Sequence, residues 1–221
     1  MAAFAIEASR RGKIPDKLDY GDVDGIASLL HKISKKEGIG AVLAEGIRYA
    51  SKKWGLEDIA IHVKGMEPAG YDPRILKGMG LAYATSDRGA CHLRATIFKA
   101  ELSGMIPPDQ IEGKVEVFLD YEDRLTLLDS LIICRFYRDL FLWDELQRLA
   151  SRIRNATRTF NLREGITKDD DTLPPRFFKE PISSKRSVIT EEEFERLKEE
   201  YYRMRGWDEN GVPIEELPFI P

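Results

Sequence analysis

Apolar residues recur at three-to-four spacing along most of this 221-residue chain. That period, unlike the alternation of a half-buried strand, predicts a mainly helical, all-α fold. Ile26, Leu29, Leu30 and Ile33 share one helical face, and Asp22 is placed to cap it. Gly38 and Gly40 break that run. The pattern then predicts a helix over 42–54, with Leu43, Ile47 and Ala50 on one side, Lys52 and Lys53 where cations suit the helix dipole, and Gly55 as its stop. An extended piece over 59–63 precedes a loop dense in Gly and Pro over 65–73. A glycine-containing helix is predicted over 74–85, and 114–149 reads as two long helices broken around 139–143. Residues 155–181 read as a surface excursion, in which Asp169, Asp170 and Asp171 form a solvated turn without the glycine and spaced glutamate of a calcium loop. Thr190 and Glu193 form a capping box for a helix over 191–205 that ends at Gly206. The chain has no internal repeat, which excludes a solenoid.

Residues that are 43% hydrophobic and 33% charged suffice for one substantial core or two small ones, and the loop near Ile61 is the expected boundary. This divides the chain into 1–61 and 62–221. The net charge of −4 argues against a general nucleic-acid binder, which needs an excess of Lys and Arg to neutralise phosphates. No apolar run reaches the ~20 residues of a membrane span, and no leader pattern opens the chain, so the expectation is a cytoplasmic, soluble protein. Two cysteines are no disulfide framework. Neither a dinucleotide or phosphate-binding glycine motif, a zinc-protease motif nor a serine-hydrolase elbow occurs.

Two segments carry the chemistry. Cys134 closes Asp129-Ser130-Leu131-Ile132-Ile133-Cys134, with no second cysteine nearby. On a continuous helix Asp129 and Cys134 would stand about 140° apart, so they serve one ligand only if the helix ends or bends between them. The plain alternative is a free cysteine buried in an apolar run. The other segment is Arg88-Gly89-Ala90-Cys91-His92-Leu93-Arg94: small residues permit close backbone approach, two guanidinium groups can fork onto an anion, and an imidazole exchanges protons near neutrality. Its plain alternative is a polar loop with incidental charges. His31, beside Lys32 on a helix, and His62, in the extended run, read as structural.

Several stretches together resemble the C-terminal part of the aldehyde ferredoxin oxidoreductase family, the tungsten and molybdopterin enzymes that oxidise aldehydes. They are the segment from Glu37 to Gly46, His62-Val63-Lys64-Gly65-Met66-Glu67, Tyr71-Asp72-Pro73-Arg74, the run from Lys77 to Ser86, the Arg88 to Arg94 segment, Asp171-Thr172-Leu173-Pro174-Pro175-Arg176, and Arg205-Gly206-Trp207-Asp208. The resemblance implies the end of a first helical domain over 1–61 and a second helical domain over 62–221, with the β domain and three of the four cluster cysteines on another polypeptide. It implies that Cys134 is the fourth ligand of a [4Fe-4S] cluster and that Asp129 belongs to the family's second Asp-x-x-Gly-Leu-Cys pterin motif. In this chain Ile132 stands at the glycine position and Ile133 at the leucine position. Ile133 and Arg135 are then expected to line the pterin, Arg88 and Arg94 to hydrogen-bond pterin or phosphate groups, and His92 to stand beside the metal as a donor to the aldehyde carbonyl or a metal oxygen.

The activity implied is oxidation of an aldehyde to a carboxylate, with electrons passing through a tungstopterin or molybdopterin and the cluster to ferredoxin. Both cofactors would be shared with an N-terminal pterin-binding partner and absent from the isolated chain. The rival from another class is a non-catalytic helical interaction or scaffold domain that keeps the fold without the cofactors.

Overall fold

The computed structural model describes residues 1–134, 143–182 and 188–215. The described residues are mainly helical and contain no β-strand, only two isolated bridges. The first four helices, α1 (Ala2–Arg10), α2 (Val23–Lys35), α3 (Ile39–Leu43) and α4 (Ile47–Trp54), bury Phe4, Leu29, Leu43, Ile47 and Leu56 in one apolar cluster. The Asp22 carboxylate caps α2 as the sequence predicts, accepting the Gly25 N–H at 2.9 Å, and Gly55 ends α4 in the left-handed conformation. The expected single helix over 42–54 is two helices. Gly46, at φ 90°, sits where no right-handed turn can continue, and the chain bends there.

A second cluster, spanning Val63 to Trp207, surrounds α5 (Lys77–Thr85). Every residue of α5 is buried, and it packs against α6 (Phe98–Leu102), α7 (Lys114–Ser130) and α10 (Glu191–Arg205). A helix apolar on all sides has no room for large side chains at its crossings, so a Cβ on Gly78 would lie 2.9 Å from Ile97. Helix α8 (Trp143–Arg163) lies along α7, and α9 (Pro175–Lys179) contributes Phe177. The predicted break around 139–143 falls mostly outside the described residues. Helix α10 has the expected limits, with both hydrogen bonds of the Thr190–Glu193 box and a left-handed Gly206. Arg176 joins the two clusters, donating to both carboxylate oxygens of Glu7 at 2.7 and 3.1 Å.

Two sequence expectations are corrected. Residues 59–63 form no strand; Val63 alone pairs with Met66 across a two-residue turn in which Lys64 and Gly65 both have positive φ. Residues 155–181 are also not a surface excursion, because Asn155, Arg158, Asp171, Leu173 and Phe177 are buried. Asp169 stays exposed, but Asp171 is fully buried. Its oxygens accept from Lys64 Nζ at 2.7 Å and the Tyr202 hydroxyl at 2.5 Å, and the Arg158 guanidinium stands 2.8 Å away as a charge contact without an aligned hydrogen bond. A buried carboxylate persists only when so compensated. Burial pushes the Lys64 amine below its usual range despite Asp171, and it raises the Tyr202 hydroxyl.

Lys114 and Glu101 form another buried pair, 2.6 Å apart, and the same Glu101 oxygen accepts the Gly78 N–H. Burial raises the Glu101 carboxyl, and the attraction of Lys114 only partly offsets it. Removing either partner would leave the other as a lone buried charge. Lys114→Met should destabilise the chain by about 3–5 kcal/mol in urea unfolding, whereas adding Glu101→Gln should recover a large part of that loss. A single substitution as mild as the double would show the carboxylate is not ionised.

His62 yields a pH expectation. Its ring is held below the usual imidazole range, first by burial and then by repulsion from Arg48, while Glu67 acts in the opposite sense. Its Nδ1 accepts the Gly65 N–H at 3.4 Å, which requires that nitrogen unprotonated. The unfolded chain then binds more protons below about pH 6.5, so stability is held above that pH and lost as pH falls through the depressed folded pKa. His62→Gln should flatten the decline in unfolding free energy between about pH 7 and 5; an unchanged slope would dismiss His62 as its source.

Candidate functional site

The loop that joins α5 to α6 carries the Arg88 to Arg94 segment. Gly89 fixes its path: φ is +105°, and a Cβ there would lie 2.4 Å from the Val63 carbonyl oxygen. Backbone therefore rests on backbone, and no other residue fits. Cys91 is buried, and its Sγ accepts from Arg88 Nη2 at 2.9 Å. That contact is the chief reason the Arg88 guanidinium is held above its usual range, with smaller contributions from the charges of Asp87 and Asp129.

Arg94 connects this loop to α7. Its Nε donates to Asp87 at 3.0 Å and its Nη1 to Asp129 at 2.7 Å. One planar guanidinium thus orients two carboxylates, and a lysine would supply the charge without the fork. Asp87 was not apparent from sequence, since it lies in an aperiodic loop; only its position beside Arg88 marked it. Its backbone carbonyl accepts from Asn161 at 2.7 Å, and its side chain lies 3.9 Å from buried Arg154. Arg154 stands 2.8 Å from Glu122, which also receives Arg205 at 2.6 Å and the Tyr201 hydroxyl at 3.0 Å. The Arg154 contact is one of charge rather than an aligned hydrogen bond, because Glu122 Oε1 and Arg154 Nε have no hydrogen-bond partner. Burial raises the Tyr201 hydroxyl to about 12. The Arg94–Asp129 pair is in this way tied to the centre of the second cluster.

The required end of the helix between Asp129 and Cys134 is present. Helix α7 stops at Ser130, and Ile132 has φ 57°. Ile133 N–H donates to the Leu128 carbonyl at 2.9 Å and Ile132 N–H to that of Asp129 at 3.3 Å. This is the Schellman pattern, whose left-handed residue is ordinarily glycine. Ile132 keeps the backbone path without glycine, at a cost of roughly 1–2 kcal/mol. Beyond the turn Ile133 is half-buried, and Cys134 is exposed, which overturns the reading of a buried thiol. Arg135 lies outside the described residues.

His92 is half-buried, with its ring tilted over Tyr71 at 5.5 Å and Phe98 at 6.4 Å between centroids, while those two rings stack at 3.9 Å. Tyr71 is positioned by the buried Tyr83, whose hydroxyl donates to the Tyr71 and Ala69 carbonyls at 3.1 Å. It also borders a cleft of about 270 Å³ shared with Pro68, Arg74 and Phe177. Tyr71 and Phe98 were not singled out as site residues, because aromatic residues in a loop and at a helix start carry no periodic signal. Among the described residues no group of three or more His, Cys, Asp or Glu side chains is arranged to hold a metal ion. Cys134 fits a thiolate donated to a group completed elsewhere. The Arg94-bound Asp129 carboxylate fits an acceptor for N–H groups of a heterocycle, because carboxylate oxygens have lone pairs beyond the one that Arg94 uses.

The order of these segments along a mainly helical chain can be set beside known proteins. The family model "Aldehyde ferredoxin oxidoreductase, domains 2 & 3" matches residues 1–217. The chain is 33% identical to the tungsten-containing aldehyde ferredoxin oxidoreductase of Pyrococcus furiosus and 35% identical to that of Pyrococcus horikoshii, covering 97% of itself in each case. It spans only 40% and 41% of those two relatives. An aliphatic sulfonate oxidoreductase, WOR-like subunit, of Pyrococcus furiosus is 29% identical over 97% of this chain and 38% of its own. Among solved structures, the active-site complex BamBC of benzoyl coenzyme A reductase, bound to 1,5-dienoyl-CoA, superposes with a TM-score of 0.68 at 20% identity. That match covers 96% of this chain and 41% of the other, and it shows the likeness of fold. The chain belongs to the aldehyde ferredoxin oxidoreductase family, corresponding to its domains 2 and 3.

The two thiols differ in access, which gives a direct check on the site. Iodoacetamide should label Cys134 in the native chain at least ~10-fold faster than Cys91, since reaction needs exposure. Peptide mass spectrometry reads both sites, and equal rates would contradict the placement of Cys134 beyond α7.

Proposed function

We propose that this chain is the C-terminal helical part of an aldehyde ferredoxin oxidoreductase and acts when joined to a polypeptide carrying the pterin-cradling portion. Residues 1–61 would be the end of one helical domain and 62–221 the next. The overall reaction converts an aldehyde and water to a carboxylate, releasing two electrons and three protons, with ferredoxin as acceptor. When bound, the tungstopterin and [4Fe-4S] cluster supply the two-electron oxidation and the one-electron relay. Two free thiols suit a reducing compartment, and we place the reaction in the cytoplasm.

Each residue has a definite task. Asp129, oriented by Arg94, accepts hydrogen bonds from the pterin N–H groups. Arg88 and Arg94 offer N–H donors to pterin or phosphate oxygens, and Ile133 excludes water from that surface. Cys134 gives its thiolate to the cluster at the open end of the α7 turn. His92, held by its contacts with Tyr71 and Phe98, donates a hydrogen bond to the aldehyde carbonyl and favours charge developing on that oxygen. The observation that carries this reading is the terminus of α7, where an αL turn separates an Arg-clamped Asp129 from an exposed Cys134.

Co-expression with a pterin-domain partner should yield a complex with about four iron atoms, whereas the chain produced alone should carry none. Cys134→Ser should reduce ferredoxin reduction by that complex more than ~10-fold while leaving the chain folded by circular dichroism. Full iron and tungsten in the isolated chain, or an unaffected Cys134→Ser complex, would refute the assignment; the latter outcome would favour a helical scaffold.

A further inference from the structure

Ile132 combines two features that folding alone does not explain. It is a β-branched residue in the left-handed region, and it is 93% exposed. Among the described residues the strain has no compensation from packing, and such an outlier points towards function. Leu131, beside it, is 53% exposed. At about 100° per residue, Leu131 falls on the same side of α7 as Val117, Tyr121 and Arg124. Those three, with Met105, line an apolar groove of about 420 Å³, and Met105 is itself 66% exposed. A strip that is apolar at the groove and at the turn presenting Cys134, and crossed by the Arg124–Asp120 ion pair, thus runs along α7.

We infer that this strip seats the polypeptide supplying the part of the relatives that this chain lacks, and that Ile132 is its anchor. The inference rests on the split-enzyme reading above. The occupant follows from what is missing: the chain corresponds to domains 2 and 3 of the family and spans 40% of the Pyrococcus furiosus relative. Cys134, two residues beyond Ile132, is the cluster ligand in that reading, so the polypeptide bringing the other ligands must close over this end of α7. An exposed apolar knob beside such a junction is the form in which a few residues carry most of an association energy. A glycine would make the same turn without strain, but it offers no side chain to a partner. The cost of the left-handed isoleucine is recovered only in the complex.

The opposing effects on folding and association provide the test. The probe is the portion of the Pyrococcus furiosus tungsten-containing aldehyde ferredoxin oxidoreductase outside the matched 40%, co-expressed with this chain and captured by a tag. Ile132→Gly should raise the melting temperature of the isolated chain by a few degrees and weaken its association with the probe by ~10-fold or more. Ile132→Asn, which also tolerates the left-handed turn, should behave alike. Tyr121→Arg, in the groove, should weaken association without the gain in melting temperature. If the wild type associates and both Ile132 variants associate equally well, the anchor is refuted and the split-enzyme reading stands. Should the wild type itself fail to associate, that reading and the anchor fall together.

Discussion

The guanidinium of Arg94, divided between Asp87 and Asp129, is the interaction on which the site depends. Without it the loop after α5 and the last turn of α7 would present carboxylates to each other. With it, two segments 35 residues apart become one surface. The clamp is itself fixed from below, because Asp87 lies 3.9 Å from Arg154, and Arg154 shares Glu122 with Arg205 on α10. Buried charges of this kind add little net stability, but they penalise every arrangement that leaves one of them alone. That penalty holds the Arg94 clamp in one geometry.

Local signals in the sequence were readable where one turn of chain decides the outcome. The Asp22 cap, the Thr190–Glu193 box and the left-handed Gly55 and Gly206 each depend on neighbours within four residues, and all appear as expected. The split between α3 and α4 was missed because Leu43, Ile47 and Ala50 keep helical spacing across Gly46, while its φ of 90° breaks the backbone beneath an unbroken pattern. Burial of Asp171 was missed for a different reason. Its partner Lys64 is 107 residues away, and three consecutive aspartates look alike until the fold supplies cations to one of them.

The site was legible in the same uneven way. The roles of Cys134, Asp129 and Arg94 came from the family resemblance, and helical geometry added that Asp129 and Cys134 could serve one ligand only if the helix ended or bent between them. The structure supplied how that end is made, through Leu128 and Asp129 carbonyls and an isoleucine in a glycine's conformation. Asp87, Tyr71 and Phe98 had no such signature, because their positions are set by a loop whose course depends on contacts made far away in sequence.

The contact of Gly89 with Val63 oxygen has a mechanical consequence. Two main chains touching with no side chain between them cannot slide past each other, so the segment bearing His92 and Arg94 shares its motions with the hairpin at Lys64. That hairpin is moored through the lysine to Asp171 and thereby to Arg158 and Tyr202. Displacing the segment that bears His92 and Arg94 would therefore disturb this hairpin and the buried charges that moor it.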